Sequence, residues 1–202
     1  MTRAGMLAAL VAATLLCPGV AAAGAQVYEE LADSVRHRLS AALADRSAPD
    51  LAFRHREDAH KWLIEMSRRL EKRVPDRKQR IELLRTVHFE ALRAGLDPQL
   101  VLGIIEVESA FRKYAVSRSG ARGYMQVMPF WIKVIGSRGD NLFHLRANLR
   151  YGCVILRHYL DMENGDYFRA LGRYNGSLGK AAYPRAVLAA WKVRWGYKGA
   201  TR

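Results

Sequence analysis

Cysteine is nearly absent from this chain of 202 residues, which holds Cys17 and Cys153 and no others. Residues 1 to 25 read as an export leader. Arg3 is a short positive head, Met6 to Leu16 an apolar run, and Ala21 to Ala25 are small residues that suit cleavage after Ala23 or Ala25. With the leader removed Cys153 stands by itself, so no intramolecular disulfide is expected despite export. In G-C-V-I-L it reads as a small apolar core residue. Cys17 follows Leu16, too bulky for the usual lipidation signal, so no lipid anchor is expected. The leader is too short to span a bilayer, so no stable membrane insertion is expected after cleavage. The expected location is the periplasm.

Acidic residues are also scarce. Nineteen Asp and Glu face 33 Lys and Arg, a net charge of +14, which draws the surface to polyanions. The bacterial envelope and nucleic acid both fit. The basic residues are scattered, without zinc-finger spacing, an RNA-binding signature or basic blocks alternating with aromatics. Export and this scatter favour the envelope, and no nucleic-acid partner is expected. Metal spacing is missing too: His55 and His60 are separated by R-E-D-A, and His37, His88, His144 and His158 are isolated. Nor is there a glycine-rich phosphate loop, a nucleophile elbow or a Cys–His pair. No metal and no cofactor are expected.

What the chain does contain is helix. Val27 to Arg46, Glu57 to Val74 and Asp76 to Ala94 read as amphipathic helices, with Trp62, Met66, Leu70 and Val74 at helical spacing in the second. Ile81, Leu84, Val87, His88 and Leu92 do the same in the third. The second and third read as a platform packed under the rest of the chain; the first, set off by the polar break Ser47 to Asp50, is free to move. Further on, Pro129 opens a helix ending near Gly136, Asp140-Asn141 cap a short turn, and Ala147 to Met162 form a strong helix with Leu149, Cys153, Leu156 and Leu160 on one face. Asn164-Gly165 close it. Asp166 caps a helix with Phe168, Leu171 and Tyr174, and Tyr183 to Trp195 form the last. Trp191 and Trp195 read as core, whereas Trp131 sits where it can line a groove.

The chemistry concentrates between Leu102 and Pro129, LGIIEVESAFRKYAVSRSGARGYMQVMP. Asp97 is a good N-cap and Pro98 a good first helical residue. At 100° per residue, Val101, Ile104, Ile105 and Phe111 share a side with Glu108, while Glu106 points to the solvated back. An inward Glu has two readings. It pairs with one of the many arginines, or it stays neutral because apolar surroundings disfavour its charge, and can then donate a proton. From Ala115 to Gly123 the chain turns to Ser, Gly and Arg, which suits an irregular loop or short β-ribbon.

Glu108-Ser109, then Ser117, Gly120-Ala121, Gly123-Tyr124-Met125-Gln126, Met128-Pro129 and finally Tyr174-Asn175 keep a known order. It resembles the catalytic domain of the soluble lytic murein transglycosylases (SLT domain), a lysozyme-like family similar to goose-type lysozyme, whose pattern is E-S, S-x-x-G-A-x-G-L-M-Q-x-M-P and A-Y-N. The match spans roughly residues 95 to 191. Tyr124 stands where Leu is usual, Phe130-Trp131 replaces a small residue plus Thr, and Arg173 to Ser177 replaces A-Y-N-A-G; none of these touches Glu108.

The resemblance implies a mainly α, lysozyme-like catalytic domain over 95–197 with a minor β-ribbon, preceded by a helical N-terminal extension over 26–94. It further implies action on peptidoglycan glycan strands, with envelope machinery as a further partner class. Glu108 is then the acid and later the base. Ser117 and Gln126 contact sugar acetamido groups. Met125 and Met128 are wall or packing residues, Tyr174 turns its hydroxyl toward the carboxylate or substrate, Asn175 holds the cleft edge, and Ser109 belongs to the same substrate-binding set. A hydrolytic glycosidase normally needs a second carboxylate, and none accompanies Glu108 in the motif. A muramidase of the same fold would recruit a distant group such as Asp140. A non-catalytic wall-binding module would not need Glu108, and a secreted nucleic-acid binder would show steeply salt-dependent DNA affinity.

Overall fold

Two aspartates fix where the central helices begin. Asp76 Oδ1 accepts from the Gln79 N–H at 2.6 Å and Asp97 Oδ1 from the Gln99 N–H at 2.7 Å, each satisfying a backbone donor that the first turn leaves open. The computed structural model describes residues 26–44 and 56–197; the expected leader and the Ser47 to Asp50 break lie outside them. Its helices are α1 (Asp33–Ala44), α2 (Arg56–Leu70), α3 (Arg77–Arg93), α4 (Pro98–Ser109), α5 (Phe130–Ile135), α6 (Leu145–Met162), α7 (Tyr167–Asn175) and α8 (Ala182–Ala189). The last runs directly into a π-helical turn, Ala190–Arg194. The expected β-ribbon is reduced to two isolated bridges, Val116 with Arg122 and Arg122 with Val127. Among the described residues no helix is long and apolar enough to cross a membrane.

Helix α4 is the axis. Ten of its residues are buried, and it is enclosed by α3, α8 and the π turn. Gly103 makes that enclosure close: a Cβ there would lie 3.0 Å from the Trp191 nitrogen and 3.3 Å from the Val187 oxygen. The sequence reads Glu106 as solvated, and this is corrected. Its side chain is 8% exposed, paired with Arg73 at 2.8 Å and Arg194 at 3.0 Å, and it accepts from Trp195 Nε1 at 2.7 Å. The α2–α3 corner and the end of the chain fold over that side, which the periodicity of a single helix cannot reveal.

One apolar cluster runs from Leu31 through Trp62, Leu84 and Ile105 to Trp195. Helix α1, read as free to move, is docked instead: Arg93 donates to the Ala42 carbonyl at 2.5 Å and Arg150 to that of Leu43 at 3.0 Å. Both arginines also meet Glu90, which is fully buried on α3. Leu92, assigned to the inner stripe of α3, is 37% exposed; Leu83 and Thr86 are buried there too.

Candidate active site

Glu108 sits in the last turn of α4, its neighbours Val101, Ile104 and Ile105 wholly buried and Phe111 nearly so. The helix stops at once: Ala110 and Phe111 both take left-handed backbone, φ 48° and 64°. Side-chain-bearing residues rarely adopt this without surrounding packing to impose it. The reversal throws the next loop back across the end of the helix. Ser109 fastens it there, its hydroxyl within reach of the Ile105 carbonyl at 3.1 Å and the Tyr124 carbonyl at 2.8 Å.

The loop has its own organiser, Asn148 on α6. Its Oδ1 accepts from the Met125 N–H, and its Nδ2 donates to the Arg122 and Leu142 carbonyls, all at 2.8 Å. Gly123, at φ 74°, presses so tightly on the Asn148 amide that a Cβ would overlap it. Met125 is fully buried against Gly152. Ser117 closes a turn, its Oγ accepting from the Ala121 N–H at 3.0 Å. Gln126 takes left-handed backbone, φ 49°, and donates Nε2 to the Ala115 and Gly123 carbonyls at 3.1 and 2.9 Å. Tyr174 donates to the Met125 carbonyl at 2.8 Å, not to the carboxylate. Trp131, a candidate groove liner, is 3% exposed and stacks on Phe130 at 5.2 Å.

The hydroxyl that does reach the acid belongs to Tyr183, which donates to Glu108 Oε1 at 2.6 Å. Sequence reading treats Tyr183 only as the start of a helix. It stands at the head of α8, and the close contact at Gly103 carries it to the end of α4. Asn175, at the last turn of α7, completes the surroundings. Glu108 Oε2 and Asn175 Nδ2 are both buried, close enough for the amide to act on the carboxyl but without a well-formed hydrogen bond.

This environment sets the charge on Glu108. Burial pushes its pKa up to about 8, and the Tyr183 hydroxyl and Asn175 amide draw it back only in part. The position adds to burial in direction, since the C-terminal end of a helix disfavours negative charge. Among the described residues, no arginine, lysine or second carboxylate contributes to that shift. Burial and the neighbouring Glu108 keep the Tyr183 phenol protonated, its pKa well above 10. The hydroxyl therefore donates to Oε1 and leaves the acid's own proton on Oε2. Asp140 is engaged elsewhere, with Oδ2 accepting from Tyr151 at 2.5 Å and from the Ser137 N–H at 3.0 Å. Glu108, Tyr183, Asn175 and Tyr174 are thus brought together, Ser109, Met125 and Gln126 shape the loop beside them, and Ser117 lies in the loop's outer turn.

Comparison with known proteins gives the family and the fold. The family model of the transglycosylase SLT domain matches residues 85–186, starting within α3. The chain is 31% identical over 121 residues to a transglycosylase of Enterobacteria phage PRD1, covering 56% of this chain and 44% of that one. It is 30% identical over 105 residues to membrane-bound lytic murein transglycosylase C of Haemophilus influenzae (strain PittEE), covering 44% and 29%. The chain thus spans less than half the length of these relatives. In fold it is similar to an inactive mutant of the lytic transglycosylase Slt from Pseudomonas aeruginosa, with a TM-score of 0.50 and 22% identity over 62% of this chain and 25% of that one. With the family model covering half of its length and the helical architecture in agreement, this chain belongs to the transglycosylase SLT domain family.

Proposed function

We propose that the domain is a lytic transglycosylase, a lyase that cuts the bond between N-acetylmuramic acid and N-acetylglucosamine in peptidoglycan and closes a 1,6-anhydro ring. One arrangement carries the reading: a carboxyl buried at the end of α4 with the Tyr183 hydroxyl on Oε1, where burial raises its pKa to about 8. A lone acid suits a reaction whose second group comes from the substrate.

The steps balance without water. Glu108 gives the Oε2 proton to the glycosidic oxygen, the bond from that oxygen to the muramyl C1 breaks, and N-acetylglucosamine leaves with a free 4-hydroxyl. The muramyl N-acetyl carbonyl stabilises the cationic C1. Glu108, now a carboxylate in apolar surroundings that disfavour its charge, takes the proton of the muramyl C6 hydroxyl, and O6 bonds to C1. Tyr183 holds Oε1 throughout, supporting the carboxylate between the two transfers. Gln126 and Ser117 are assigned to the sugar acetamido groups and Asn175 to the cleft edge, with the Met128 backbone further along the loop. Met125, Ser109 and Tyr174 act through the loop's shape.

Export by residues 1–25 and the net charge of +13 that remains once Arg3 leaves with them direct the enzyme to the anionic wall of the periplasm. The test is digestion of purified sacculi followed by fragment masses. Anhydro-muropeptides from the unmutated chain and none from Glu108→Gln are the expected result. Fragments heavier by one water would make it a muramidase instead, and unchanged activity of Glu108→Gln would end the proposal.

A further inference from the structure

Residues 26–31 belong to no helix, yet they reach the loop beside the acid. Gln26 is 4% exposed. Its Oε1 accepts two converging hydrogen bonds, from the Met128 backbone N–H at 3.1 Å and from Trp131 Nε1 at 3.0 Å. These partners are 102 and 105 residues away in sequence, so nothing local puts the side chain there. Tyr174, one wall of the site, has both Glu108 and Gln26 among the groups that act on its hydroxyl. Gln26 and Glu108 therefore both bear on the one tyrosine, Tyr174.

The seat is complementary and the attachment is slight. A carboxamide oxygen between two N–H donors, beside the Trp131 ring, has the chemistry of an N-acetyl carbonyl. The Gln26 Nε2, however, is buried and faces the Tyr174 hydroxyl without a well-formed hydrogen bond, which penalises the seated state. The rest of the segment is held at the surface. Tyr28, 55% exposed, meets Phe130 edge-on at 5.6 Å, and Glu29 pairs with Arg173 at 3.3 Å. An exposed ion pair of this kind contributes little.

We propose that the Met128 N–H and Trp131 Nε1–H form a carboxamide-oxygen subsite which Gln26 fills in the resting protein, and which an acetamido sugar takes over, so that residues 26–31 are a built-in competitor of the glycan. The inference rests on the proposed function for the identity of that sugar. By displacing the strap, substrate opens its own site.

Binding is measured on the chain carrying Glu108→Gln, which cannot turn over, with a tetramer of N-acetylglucosamine as ligand. The Trp131 indole N–H is tracked by nuclear magnetic resonance. Gln26→Ala is expected to tighten binding by about five- to tenfold, the worth of two neutral hydrogen bonds, and to shift the Trp131 signal before any sugar is added. Tyr28→Ala, a surface change that leaves the core intact, tightens it in the same direction by about twofold. In the otherwise unmutated chain KM for glycan strands falls correspondingly while kcat holds. Unchanged or weakened affinity in both variants overturns the proposal, as does a Trp131 signal that saturating tetramer leaves in place. A failure of the proposed function looks different. The unmutated chain releases no anhydro-muropeptide and no variant binds the tetramer, which removes the competitor and this proposal with it.

Discussion

The phenol of Tyr183 and the carboxyl of Glu108 meet at 2.6 Å, although 75 residues separate them in the chain. In the proposed mechanism the contact decides which oxygen keeps the proton and therefore which atom acts as the acid. Tyr183→Phe removes a donor that also draws the Glu108 pKa down. The expected result is a fall in kcat/KM of about 10- to 100-fold, as for losing a hydrogen bond to a group that becomes charged. The alkaline limb of the pH–rate profile should move to higher pH. A profile that keeps its position would show that Tyr183 does not set the titration.

Activity and stability should respond oppositely at Glu108. The pKa is about 8 in the fold against 4.5 ordinarily, so between those values the folded chain holds a proton that the unfolded chain has lost. Stability therefore declines as pH rises from about 4.5 to about 8 and levels off above it. Glu108→Gln abolishes that dependence. The variant should be inactive yet more stable than the unmutated chain at pH 7, by roughly 3 kcal/mol, and indistinguishable from it near pH 4. Urea titrations at the two pH values check this, and equal stabilities at pH 7 would contradict the assigned titration.

Asn148 supports the loop with three hydrogen bonds from a fully buried side chain. Asn148→Ala strands the Met125 N–H and two carbonyls, a cost of about 2–4 kcal/mol. Activity should fall further than folding alone explains, since Gln126 and Met128 are carried on that loop. Thermal unfolding alongside sacculus digestion separates the two effects.

Gly103→Ala tests the packing that brings Tyr183 to the acid. Its Cβ would stand 3.0 Å from the Trp191 nitrogen, which is backbone and cannot rotate aside. A loss of about 1–3 kcal/mol is expected, with kcat lowered as α8 moves off α4. Unaltered kcat in a destabilised variant would mean that the helix ends stay in register.

Much of this architecture was legible in the order of residues. Asp76, Asp97 and Asp166 announce helix starts by local chemistry, and each accepts a first-turn N–H as expected. The inward face of Glu108 was legible as well, because helical periodicity needs only neighbours. What escaped depends on distant segments. Tyr183 reads only as the start of a helix until α8 lies on α4, and Asn148 goes unremarked within its helix until the loop closes over it. Glu106 is misread for the same reason, and the β-ribbon shrinks to bridges because the turns at Gly120 and Gly123 leave too few paired residues between them.

Glu106 carries a practical corollary. Two of its three partners, Arg194 and Trp195, come from the last described stretch of the chain, and Glu106 is two residues from the acid on one helical turn. Trimming the tail to aid crystallisation, or a protease nick there, would leave that carboxylate with Arg73 alone and free the end of α4 to shift. Because Trp195 is itself a buried core residue, such a clipped preparation would show its damage first as a lowered melting temperature.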